Sequence, residues 1–342
     1  MANFSASNLV NAQTRLAQKY AAPEMRIQPY PAFALLTANS NVLIEDAANL
    51  RTREDRPIEA KLLARQKRNS GAGRTHNHTG VFGDSGSTTL TWTTKSDVTS
   101  ISIKLLDKNV IGFEEAVANQ IEQCCINILE DKETEAITYL RANRATQQPA
   151  NIQNGTFNAA NDVMEISAAD KDKNLFFANA RIIMEDNFLG RNLDIIGDSR
   201  LAVNAEWLAN QRTANATNWG YQFGDLNILH STILRDANYT DGTALVMPAG
   251  TVGALNWIPR QNRQGEGDPN TYVGMYGTFR YRGYSFAIHT YRQRADTSGS
   301  NGNTQDDVIE FELSLDTSYN KAPLLYTTDR TDSVILQFGQ LT

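Results

Sequence analysis

The stretch FEEAVANQIEQCCINILEDKETEAITYLRANR, residues 113–144, decides the fold. It holds no glycine or proline from end to end. Phe113, Val117, Ile121, Cys124, Ile128, Ile137 and Leu140 recur at helical spacing and make one apolar stripe. Gly112 precedes the stretch and Gln147-Gln148-Pro149 lies beyond it, a start and a stop for a helix. At 1.5 Å per residue such a helix spans roughly 48 Å, well beyond the 10–14 residues typical of globular helices. Seven acids face three bases along it, leaving −4.

The segment before the helix has the opposite charge. From Arg51 to Arg74 there are eight basic residues and three acids, leaving +5. A basic stretch beside a long acidic element invites contact between the two, within one chain or between copies; two solvated faces are the plainer reading. Residues 57–100 are polar, with turn signals at Asn69-Ser-Gly-Ala-Gly73 and Gly83-Asp-Ser-Gly-Ser87. Thr88–Thr94 and Val98–Leu105 are β-prone, and the second alternates like a half-buried strand. Together they predict a long two-stranded excursion, which needs another surface to lie on because an isolated hairpin is barely stable.

Upstream, Leu9, Ala12, Leu16 and Tyr20 predict a short helix over 7–22, stopped by Pro23. Prolines at 23, 29 and 31 then predict an extended arm. Its apolar side chains, Tyr30 and Phe33 among them, are expected to bury themselves on a neighbour. Downstream, residues 150–170 are Asn-rich and read as a loop. Asp172–Leu189 reads as a helix, Leu193–Gly197 as a short buried strand, and Ser199–Gln211 as the helix that follows it, the start of an α/β unit. Further strands are expected at Leu226–Leu234 and Ala244–Met247, and a loop at 259–270. Two long strands follow at Tyr276–Tyr291 and Val308–Leu315, separated by a polar insert over Thr297–Asp307, and a last strand lies at Ser333–Phe338.

Composition narrows the function classes. The chain has 342 residues, 41% hydrophobic and 20% charged, which fits a folded protein of one or two domains. No apolar run approaches the ~18–20 residues of a membrane span, and the first residues lack the pattern of a secretory signal. A net charge of −6 argues against nucleic-acid binding by bulk charge. The two cysteines, Cys124 and Cys125, are adjacent, and neighbours rarely bridge each other; they read as small buried hydrophobes rather than metal ligands.

The chemistry-bearing patterns are absent. There is no P-loop, no Gly-x-Ser-x-Gly, no His-Glu-x-x-His and no Cys-x-x-Cys. Gly71-Ala-Gly73 reads as a turn. His230 and His289 each sit among apolar neighbours and read as strand residues. Asp194 and Asp198 flank a strand end, where α/β ligand sites lie, but Asp198-Ser-Arg reads more simply as a helix cap. Asp268 and Asp306-Asp307 lack the spacing of a calcium loop. No catalytic, cofactor or metal residue is expected, and no enzymatic activity.

The order of elements resembles the major capsid proteins of tailed phages, the Hong Kong 97 fold. That resemblance implies an α+β fold: an N-terminal arm (1–56), an extended loop (57–100), a peripheral domain (101–190) with its spine helix at 113–144, an axial α/β domain (191–270), return strands of the peripheral domain (271–315) and an axial closing segment (316–342). It implies a structural subunit that self-assembles, as hexamers and pentamers, into an icosahedral shell around a double-stranded DNA genome that it does not bind specifically. A separate scaffolding protein and a portal are implied as partners, with room for a decoration protein; the implied location is the virion, assembled in the host cytoplasm. Candidates for contact between copies are Arg65, Lys67, Arg68 and Arg74 on the excursion, Trp92 on its strand, Glu114 and Glu122 on the helix, and Tyr30 and Phe33 on the arm. The rival readings are an encapsulin-type compartment, an α/β enzyme using the Asp194–Asp198 region, and another virion part such as a portal or tail protein.

Overall fold

The structure, a computed structural model, describes residues 6–19, 30–62, 86–102, 113–147, 155–167, 175–211, 221–223, 226–268, 273–294, 307–324 and 331–341. The chain begins with α1 (Ala6–Lys19), α2 (Pro31–Leu43) and α3 (Ala47–Thr52). Then come β1 (Glu59–Leu62), β2 (Gly86–Thr89), β3 (Trp92–Ser102) and α4 (Phe113–Ala142), the expected spine. The middle of the chain runs β4 (Gly155–Asn158), β5 (Val163–Ile166), α5 (Phe176–Asp186), β6 (Leu193–Gly197), α6 (Ser199–Gln211), β7 (Tyr221–Phe223), β8 (Leu226–His230) and β9 (Thr243–Pro248). The last third runs β10 (Val252–Trp257), α7 (Arg260–Gln264), β11 (Gly267–Asp268), β12 (Gly274–Tyr281), β13 (Tyr284–Arg294), β14 (Asp307–Lys321) and β15 (Leu336–Gln340).

Two large sheets carry these elements, and the fold is α+β. The first is built on β14, whose 15 residues make it the longest strand described. One edge of β14 takes β3 along Val308–Ser318. The other takes β13 along Asp307–Ser314 and then β10 along Asp316–Lys321, and β12 and β11 extend the sheet beyond β13. Every pairing in this sheet is antiparallel. The second sheet has the order β4-β5-β15-β9-β6-β8-β7 and is mixed, with parallel pairs at β5–β15 and β6–β8. Its central strands β6 and β9 are buried along their whole length, as strands covered on both faces must be. A third, two-stranded unit joins β1 to β2, antiparallel from Glu59–Thr89 to Leu62–Gly86.

The spine α4 packs against α1, α2, β3 and β14. It is therefore buried on several faces: Val117, Ile121, Cys125, Leu129, Ala136 and Leu140 are all sealed from solvent. This core is continuous with both sheets. A smaller cluster of Leu43, Ile44, Ala47, Leu50, Ala60, Leu90 and Leu255 lies at the root of β1–β2.

Several expectations change. Residues 31–52 are not an extended arm but two helices. Pro31 occupies the first turn of α2, where its fixed φ suits a helix and its missing N–H costs nothing. Residues 155–166 are not a loop but a β-hairpin, turned through Asp162 at φ 52° in the left-handed region that Asn and Asp tolerate. Tyr276–Tyr291 is not one strand but two, folded at Arg282 (φ 48°) and Gly283 (φ 86°) with Tyr281 facing Tyr284. Two positive φ values in a two-residue loop are the primed turn that matches strand twist. The stretch 259–270 contains the short helix α7 and the strand β11. β10, which no pattern announced, lies against α2. The insert over Thr297–Asp307 lies outside the described residues except for Asp307, which opens β14.

Candidate interaction surfaces

The root of the β1–β2 excursion is a clamp. Arg56 reaches Asp316 of β14 at 2.8 Å, and its guanidinium lies 5.9 Å from the Trp92 ring centre and 5.6 Å from that of Trp257. Trp92 donates its indole N–H to the Pro57 carbonyl at 2.7 Å, and Trp257 donates to that of Arg53 at 3.2 Å. Asp316 also accepts from the Thr94 hydroxyl. A buried carboxylate, a cation over two aromatic faces and two indole donors thus hold the base of the excursion against the six-stranded sheet. Arg56, which the sequence groups with the basic stretch, is used within the chain.

The same holds for much of the acidic helix. Glu133 is fully buried. Its carboxylate accepts from the backbone N–H of Phe33 at 2.8 Å, the N–H of Ala32 at 3.3 Å and the Ser231 hydroxyl at 2.8 Å. It caps α2 from a helix a hundred residues away, because Tyr30 at the cap position makes no side-chain cap. Burial nonetheless pushes its carboxyl up from the ordinary value, against the pull of those three hydrogen bonds. Lys132, its neighbour, is also fully buried and reaches Glu135 at 2.8 Å and the Thr93 carbonyl at 3.1 Å; burial lowers its ammonium. Among the acids of α4, Glu115, Glu130 and Asp131 remain exposed.

Of the contact candidates, Tyr30 and Phe33 do not face a neighbour. Both are buried within their own chain, Phe33 stacking on Tyr284 at 5.2 Å, because α2 lays its apolar side on α4 and the hairpin. Burial pushes the Tyr30 hydroxyl up to about 12. Glu122 is likewise buried on α4. Trp92 is half-buried in the clamp. Glu114 lies in the first turn of α4. Arg65, Lys67, Arg68 and Arg74 fall outside the described residues, as do His76, His78 and the Gly71–Gly73 turn.

The carboxylates of the enzyme reading have structural tasks. Asp194 is buried and accepts from Asn39 at 3.0 Å and Asn227 at 3.1 Å, tying α2 to β6 and β8. Asp198 accepts from the backbone N–H of Arg200 and Leu201 at 3.1 and 3.0 Å and caps α6, as its position predicts. His289 stacks on Tyr276 at 4.4 Å, in a strand. Both cysteines are buried free thiols; burial pushes Cys124 up to about 12 and Cys125 well above its ordinary value, so each stays protonated. Among the described residues no His, Cys, Asp and Glu cluster has the makings of a metal site, and no helix is long and apolar enough to cross a membrane. Sequence reasoning missed the clamp, because Arg56, Trp92, Trp257 and Asp316 come from four separate segments.

No family model matches the sequence, and no curated protein matches it. Solved structures do resemble the chain. One from Mycobacterium phage Adephagia, 12% identical, covers 100% of this chain and 99% of that one with a TM-score of 0.48. The capsid structure of the cyanophage P-SCSP1u, 12% identical, covers 85% and 86% with a TM-score of 0.44. The SrpI encapsulin complex from Synechococcus elongatus, 10% identical, covers 75% and 75% with a TM-score of 0.41.

Proposed function

We propose that this chain is the structural subunit of an icosahedral phage capsid, a shell of hexamers and pentamers that encloses double-stranded DNA. The observation that carries the reading is the β1–β2 excursion. A strand pair of four residues a side has almost no stability of its own, yet the chain spends Arg56, Trp92, Trp257 and Asp316 on fixing its root. A rigid root under a marginal ribbon makes sense where the ribbon lies on another subunit. Ile58 at its base is 72% exposed, and Val98 on the adjoining strand β3 is 59% exposed, apolar surface that a second copy covers. The 1–56, 57–100, 101–190, 191–270, 271–315 and 316–342 divisions name the parts on this reading, with β4 and β5 belonging to the axial sheet they extend. A scaffolding protein and a portal are the further partners, and the virion is the location.

Negative-stain microscopy of the chain, purified alone and after co-expression with its scaffolding protein, tests this. Closed shells are expected in at least one of the two preparations. A monomer or small oligomer in both overturns the shell reading, and shells filled with a cargo protein turn it into a cargo compartment.

A further inference from the structure

A cleft of about 740 Å³ opens on the face of the molecule between α2 and the β12–β13 hairpin. One wall is a single face of α2, Ala34, Thr37, Ala38 and Asn41, at the i, i+3, i+4, i+7 spacing of a helix side. These side chains are small or neutral and leave the space open. Around it stand four arginines from four elements: Arg51 of α3, Arg263 of α7, Arg280 of β12 and Arg282 of the hairpin turn. No carboxylate lines it among the described residues.

Arg51 and Arg263 spend their hydrogen bonds on neutral oxygens. Arg51 donates to the Ser40 hydroxyl at 2.6 Å. Arg263 donates to the backbone carbonyls of Thr52, at 2.6 Å, and Arg53. Those oxygens are neutral, so they orient the guanidinium groups without cancelling their charge. Arg280 is exposed, and Arg282 leans over the Tyr281 ring at 5.5 Å. The whole chain carries −6; setting these four cations aside leaves −10 on the rest. A second copy therefore has acids to offer the cleft, among them the exposed Glu115, Glu130 and Asp131 of its α4. Arginine presents a planar fork that matches a carboxylate, and it is enriched where protein surfaces meet.

We propose that this cleft receives an acidic segment of a second copy of this chain and is a charge-paired contact of the assembled shell. The proposal rests on the shell reading above. Nucleic acid is the weaker fit: a duplex is held by elements that enter its grooves or by a run of cations along its phosphates, and a recess between a helix and a hairpin offers neither.

Arg280→Glu tests the site, because Arg280 is exposed and carries no part of the core. The variant keeps the melting temperature of the unassembled wild-type chain. It lowers shell yield by about tenfold or more at physiological salt, the scale expected when a charge pair between subunits becomes a repulsion. Arg280→Lys falls between the two. The double variant R263Q/R280E deepens the loss. Wild-type yield from R280E overturns the site while leaving the shell reading intact. Unaltered shells that hold less DNA also overturn it and point to nucleic acid. A wild-type chain that remains monomeric both alone and with its scaffolding protein overturns the shell reading and the site together.

Discussion

Glu133 shows how one residue joins three elements. It sits within α4, caps α2 and reaches Ser231 just beyond β8. Glu133→Gln replaces one acceptor oxygen by an amide that faces a backbone donor. A loss of about 1–2 kcal/mol is expected, the scale of a lost helix cap or an unmet buried N–H. The pH dependence has a definite sign. Because burial raises the folded-state carboxyl, the wild type is favoured below the unfolded value of roughly 4.3. That advantage is lost as pH rises through the higher folded value. The stability difference between wild type and E133Q, from denaturant unfolding of the unassembled chain, therefore narrows from pH 4 upward. A difference that widens over that range contradicts the assignment of Glu133 as a buried, upward-shifted acid.

At the scale of elements, α2 lies directly against β10. A Cβ placed on Gly253 would meet the Ser40 Cα at 2.8 Å and its N at 2.9 Å, both backbone atoms that no rotamer change can move. Gly253→Ala pushes the helix off the strand and costs about 1–3 kcal/mol, as overpacking does. Denaturant midpoints of the unassembled chain measure this, and a neutral G253A means that α2 is loosely seated. The helix could not be read from its own residues. Pro29-Tyr30-Pro31 suggests extended chain, and the side chain that caps α2 belongs to α4. The β12–β13 hairpin was hidden for a different reason: its turn is Arg282-Gly283, and arginine is not among the residues that ordinarily signal a primed turn.

For the whole molecule, the charge arrangement is the feature to test. The +5 stretch and the −4 helix look like two matched faces in sequence. In the fold, Arg56, Lys132 and Glu133 are consumed by contacts within the chain, so a smaller set is left for neighbours. The basic side chains at 65, 67 and 68 remain proposed contacts. Reversing all three together, as R65E/K67E/R68E, is expected to block closed shells while leaving the circular-dichroism melt of the subunit unchanged; normal shells would remove charge pairing at the excursion as a determinant of assembly. Raising salt should weaken assembly of the wild type as well, since exposed pairs are screened within a Debye length of about 8–10 Å.

The spine helix was legible in the sequence because a helix is a local object. Its period of 3.6, the absence of glycine and proline, and the flanking Gly112 and Pro149 are enough to place it within two residues of Phe113–Ala142. The same locality made Leu193–Gly197, Ser199–Gln211 and the Asp198 cap readable. The tertiary structure alone decided which charges are buried and which face outward. The partners of Glu133, Arg56 and Asp194 lie from 33 to 260 residues away along the chain. Pairing over such separations leaves no periodic trace in the residues themselves, so the clamp, the distal cap and the arginine cleft emerge only when the chain is folded.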